Sequence, residues 1–150
     1  MLKSHYVLTA ERAAVVNEAL GGEVQVLGAL ALNASVATHP DFPQQDMGLD
    51  DQLALAGQGV FLERCFCPPY TGMCDWARMV ASIRATGPAV AIVTTDLGQP
   101  DNPPVEDGLA LMADALHATG FTDEEITTMI VDNSRLLAGA DALRADPGRM

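Results

Sequence analysis

The chain has 150 residues, 49% of them hydrophobic, enough for one domain with a sizeable core. A formal net charge of -12 argues against nucleic acid or an anionic membrane as partner. Three cysteines are too few, and odd in number, for a disulfide scaffold, so a reducing cytoplasm is the expected compartment.

No apolar run reaches transmembrane length, and the opening "MLKSHYVLTAERAAVV" lacks the pattern of a secretory signal. In chain order, "LKSHYV" predicts a strand. "TAERAAVVNEALGG" predicts a helix capped by Thr9 and stopped by Gly21-Gly22. "EVQVLGALAL" and "SVATH" predict strands, and "LDDQLALAGQG" a short helix with Leu49, Leu53 and Ala56 on one face. "VFLERCF" is a strand, and "MCDWARMVASIRATG" a helix ended by Gly87-Pro88. "AVAIVTT" is a strand, and "VEDGLALMADALHATG" an amphipathic helix with a stripe of Val105, Leu109, Met112 and Leu116. Thr122 and Glu125 form a capping box, "VDNSRLLAG" starts a last helical turn, and residues 140–150 are a loose tail behind a domain spanning 1–139.

Strands alternating with helices imply a parallel sheet in an α/β fold. In such folds functional groups gather at the carboxyl ends of the strands. The exits here are Lys3-Ser4-His5, Asn33, Thr38-His39-Pro40-Asp41, Glu63-Arg64-Cys65 and Thr95-Asp96, more titratable groups than solubility requires. His39 precedes Pro40, which favours an extended backbone that points the ring inward. Asp96 is either a cap or turn residue or chemistry held at a strand mouth. Strand alternation lets only one of Glu63 and Arg64 face that mouth. His117, late in a helix, reads as a surface histidine favourable to the helix dipole. Cys65, Cys67 and Cys74 have no second pair to make a closed zinc knuckle, and read as buried or incidental thiols. Phosphate-loop, dinucleotide-loop and nucleophile-elbow motifs are absent from the sequence. The connector between Asn33 and Val36 is too short for a parallel crossover, which takes roughly ten residues.

The strings "VATHPDFP", "DQLALAGQGVFLERCF" and "IRATGPAVAIVTTDLGQPDNPPVEDGLALMADALHATGFTDEEITTMIVDNSRLLAG" resemble the carboxyl-terminal portion of amidohydrolase-like metal-dependent hydrolases. The nearest likeness is to an uncharacterised branch with a "LKSHY" strand and a strand ending in "LN", and it covers nearly all of residues 1–139. It implies a distorted (β/α)8 barrel with divalent metal, zinc for preference, at the strand ends. His39 and His5 then correspond to histidine ligands. Asp96 corresponds to the last-strand aspartate, which touches metal and takes a proton from the attacking water. Lys3 is placed to stabilise an oxyanion or hold a substrate carboxylate, and Asn33, Glu63, Arg64 and Gln99 to bind substrate. The departures are that no H-x-H pair occurs, and that a barrel takes about 250 residues. The expected fold is therefore a truncated (β/α)8 (TIM) barrel of about five mostly parallel strands. The expected function is hydrolysis of an amide, ester, lactone or phosphoester. The alternative is an inactive remnant serving as a binding or assembly module. Open strand edges imply a homodimer or a complementing subunit.

Overall fold

The computed structural model describes residues 36–45 and 47–138. The strands expected at "LKSHYV" and "EVQVLGALAL", the first expected helix, Lys3, His5, Asn33 and the 140–150 tail lie outside the described residues. The chain runs through β1 (Val36–Thr38), α1 (Leu49–Gly57), β2 (Phe61–Cys65), α2 (Cys67–Tyr70) and α3 (Trp76–Thr86). A 3-10 turn (Pro88–Val90), β3 (Ala91–Thr94), α4 (Val105–Ala118) and α5 (Asp123–Thr127) follow, then a π-helical segment (Thr128–Asp132) and α6 (Asn133–Leu137).

The strands form one parallel sheet in the order β1-β2-β3. The α/β class with parallel strands and intervening helices is as the sequence predicts. The described residues hold three such strands, within the expected "SVATH", "VFLERCF" and "AVAIVTT" segments. Register divides the sheet into two faces, because successive side chains alternate. Ala37 pairs with Leu62, Leu62 with Ala91 and Arg64 with Val93, so these share one face. Thr38, Glu63, Cys65, Ile92 and Thr94 share the other.

The helices lie on the first face. Met47 and Leu55 bury against Leu62, while Met79, Ile83, Met112 and Leu116 cluster with Ala91 and Val93. α1 also packs against α3. Sequential strand order with both crossovers on one side is single winding, which leaves the opposite face and its strand ends to the site. Among the described residues no helix is long and apolar enough to cross a membrane.

Local chemistry explains the element ends. Asp75 caps α3 by accepting from Arg78 N–H at 3.0 Å, and Gly87 at φ 88° ends it before Pro88. Thr122 and Glu125 form the expected capping box at α5. Two expected faces are corrected. In α1 the buried residues are Gln52 and Leu55, while Leu49 and Leu53 are exposed. In α4 the buried row is Gly108, Met112 and Leu116, and Val105 and Leu109 are exposed. Both helices are rotated toward a small or polar residue that makes a specific contact with the sheet side, and a hydrophobic stripe alone does not reveal that.

Candidate metal centre

Three strand exits meet at the carboxyl end of the sheet. At the end of β1 the backbone of His39 extends the ladder, its N–H donating to Glu63 O at 3.1 Å. His39 then enters the left-handed region at φ 56°, correcting the extended conformation that Pro40 favours in the sequence. A turn bond from Phe42 N–H to His39 O, 3.0 Å, and the ladder bond together hold it there. Two residues past β3, Asp96 is left-handed as well, at φ 50°. Among the described residues these are the only non-glycine positions with positive φ. Such strain costs of order 1–3 kcal/mol each and collects at functional sites.

The two side chains converge, with His39 Nε2 3.3 Å from Asp96 Oδ2. Their side-chain exposures are 16% and 46%, so the pair opens to solvent on the aspartate side. Asp96 is not a helix cap, because the residue capping α4 is Pro104. Gly108 holds the Thr95–Leu97 segment close: a Cβ there would lie 2.5 Å from Leu97 Cδ1 and 2.7 Å from Thr95 Cγ2. A glycine in the first turns of α4 thus lets the loop carrying Asp96 press onto the helix.

Beneath this pair lies Cys65, the last residue of β2, only 3% exposed. Burial pushes its thiol up to about 12, against the opposing effect of its Thr94 hydrogen bond. One donor atom from each of His39, Cys65 and Asp96 lies within 4.8 Å of the others. A tetrahedral centre with bonds of 2.0–2.3 Å separates its ligands by roughly 3.3–3.8 Å, so closing this set takes a movement of about 1 Å. Nitrogen, sulfur and oxygen donors with one side open to solvent suit a divalent metal. The fit is one of donor chemistry and spacing.

Glu63 occupies the same mouth. Thr38 Oγ1 donates to its Oε2 at 2.7 Å and Thr94 Oγ1 to its Oε1 at 3.0 Å, so both carboxylate oxygens are held by hydroxyls of the flanking strands. Arg64 goes the other way. It is 0% exposed on the helix face, where it pairs with Asp41 through Nη1 and reaches Thr86 Oγ1 at 3.5 Å. Alternation turns Glu63 to the opposite face of the strand, and Arg64 is a buried cation paired with Asp41. Gln99 accepts from Asn102 Nδ2 and lies 3.8 Å from Cys67 Sγ. His117 is exposed on the last turn of α4, 3.4 Å from Asp123, as a surface histidine should be.

Sequence reasoning brought His39 and Asp96 together and read Cys65 as a buried thiol, which it is, but did not foresee its approach to that pair or the two threonines on Glu63. The signal was present: Cys65 is two residues after Glu63, so alternation puts both on one face, at the strand's carboxyl end. No family model matches the chain, and neither does any curated protein or solved structure.

Proposed function

We propose that the chain is a metal-dependent hydrolase of the amidohydrolase type, built on part of a (β/α)8 barrel, with His39 and Asp96 at its metal. The observation that carries this reading is their 3.3 Å approach from the exits of β1 and β3, on either side of the Glu63 carboxylate of β2. Parallel strands in sequential order, with helices packed on one face and polar groups gathered at the strand carboxyl ends, support the barrel half of the proposal.

A divalent metal, zinc for preference, supplies Lewis acidity toward a substrate carbonyl or phosphoryl oxygen when bound. His39 and Asp96 would hold it together with His5, and Lys3 would stabilise a developing oxyanion or hold a substrate carboxylate. Asp96, the more exposed of the described pair, accepts the proton of the attacking water and returns it to the leaving group. Glu63, braced by Thr38 and Thr94, presents a fixed carboxylate to the substrate's polar groups. Asn33 and Gln99 complete the proposed substrate contacts. A homodimer or a complementing subunit belongs to the same proposal, since the three parallel strands of the described residues do not by themselves close a barrel.

Zinc-loaded protein assayed on ester, lactone, amide and phosphoester substrates tests this. Hydrolysis of one class is expected, falling about 10²–10⁴-fold in Asp96→Ala with the fold intact by circular dichroism. Metal-free protein after zinc dialysis, with no turnover of any class, would favour the inactive-module alternative.

A further inference from the structure

We propose that Cys65 is the third ligand of this centre, so that His39, Cys65 and Asp96 form a mixed nitrogen, sulfur and oxygen site that takes zinc-like ions and refuses magnesium and calcium. The inference rests on the metal reading of the same site and fixes the class of its ion.

Three observations carry it. The donor set that lies within 4.8 Å contains the Cys65 sulfur, not that of Cys67 or Cys74. Cys67 is committed elsewhere, accepting from Asn102 Nδ2 at 3.3 Å, and Cys74 Sγ is turned to the carbonyl of Asp75 at 3.9 Å. Finally, Cys65 has a polar neighbour fit to support either form of its sulfur: Thr94 Oγ1 at 3.1 Å.

That hydroxyl has one proton and two claimants. With the thiol present, Thr94 donates to Glu63 Oε1 and accepts the S–H of Cys65. When Cys65 binds a metal, its S–H bond breaks, the proton leaves to solvent and a sulfur lone pair forms the new bond; nothing is oxidised or reduced. Thr94 then turns its proton to the sulfur, while Thr38 keeps Glu63 hydrogen-bonded at 2.7 Å. Outer hydrogen bonds of this kind orient ligands and tune affinity. Thiolate and imidazole together favour zinc and cobalt over magnesium and calcium, which prefer oxygen donors and higher coordination. Three protein ligands with an open side match a catalytic rather than a structural zinc site.

The test is a cobalt(II) titration of the full chain after chelator treatment, followed by absorption. One equivalent is expected to give a near-ultraviolet thiolate-to-cobalt charge-transfer band, which zinc displaces and a thousand-fold excess of magnesium does not. Cys65→Ser is expected to lose the band and weaken zinc binding at least about 100-fold, outer-shell losses being the floor. The Cys67→Ser/Cys74→Ser protein keeps Cys65 as its only cysteine and is expected to retain the band. That variant assigns the sulfur even where Cys65→Ser fails to fold. Cobalt bound without the band, or a band that survives Cys65→Ser, overturns the inference and leaves the hydrolase proposal standing. Protein that binds no cobalt at micromolar concentration overturns both.

Discussion

Arg64 and Cys65 are neighbours on β2 and face opposite ways, and each exacts a different cost from the fold. The guanidinium of Arg64 is buried against Asp41, whose other oxygen accepts from Gln52 Nε2 at 3.2 Å. Burial lowers the Arg64 pKa, and Asp41 opposes that. Such a pair contributes little net stability, yet breaking it strands a charge in the interior. Asp41→Ala is expected to lose about 3–5 kcal/mol in urea unfolding, with Asp41→Asn recovering part through the Gln52 bond. Cys65 sets an alkaline limit. In the metal-free fold it keeps its proton up to about 12, whereas the unfolded thiol loses its proton near 9. Between those values the unfolded state binds fewer protons, so stability falls as pH rises, by up to about 1.4 kcal/mol per pH unit. Below 9 the contribution is fully present. Urea midpoints of wild type and Cys65→Ala, compared from pH 8 to 11, should converge as pH rises. Parallel lines would show that the thiol ionises as easily in the fold as out of it.

At the scale of elements, α4 shows why an amphipathic pattern misleads. Val105, Leu109, Met112 and Leu116 are spaced as a stripe, but the helix buries Gly108, Met112 and Leu116 instead. The deciding contact is the missing side chain of Gly108 against Thr95 and Leu97. Gly108→Ala forces a methyl into that gap. Leu97 can swing its terminal carbon aside, but the β-branched Thr95 has less freedom. Overpacking of this kind costs about 1–3 kcal/mol despite alanine's better helix propensity. Because Asp96 lies between the two clashing residues, metal affinity is expected to fall alongside stability. Isothermal titration with zinc checks this: unchanged affinity in a destabilised Gly108→Ala protein would separate the helix contact from the site. α1 makes the same point with Gln52, a polar residue on the buried face because Asp41 and the Met47 carbonyl need its amide.

For the whole molecule, the sheet order β1-β2-β3 matters more than its size. Each crossover returns to the same side, so one face is covered by helices and the other gathers Thr38, Glu63, Cys65 and Thr94. Within the described residues β1 and β3 each have a single strand neighbour. Unpaired strand edges favour association, and two copies related by a two-fold axis would satisfy both. Light scattering at low micromolar concentration is expected to report a dimer. A stable monomer would remove the homodimer from the proposal and leave the chain to close its own edges.

Local chemistry was legible in the sequence. The α/β alternation, the Gly87-Pro88 stop of α3, the Thr122 capping box and the strand exits at His39 and Asp96 all depend on residues close in the chain. Propensity, capping and two-residue alternation act over such distances. What lay beyond reach depends on partners far apart. Arg64 meets Asp41 across 23 positions and Thr94 meets Glu63 across 31. The left-handed turn at His39 ran against the preference that Pro40 imposes, because a ladder bond to Glu63 O outweighed it. Cys65 became a candidate ligand only when parallel pairing set the ends of three strands side by side. Backbone register decides which donors share a space of a few ångströms, and register is a property of the assembled sheet.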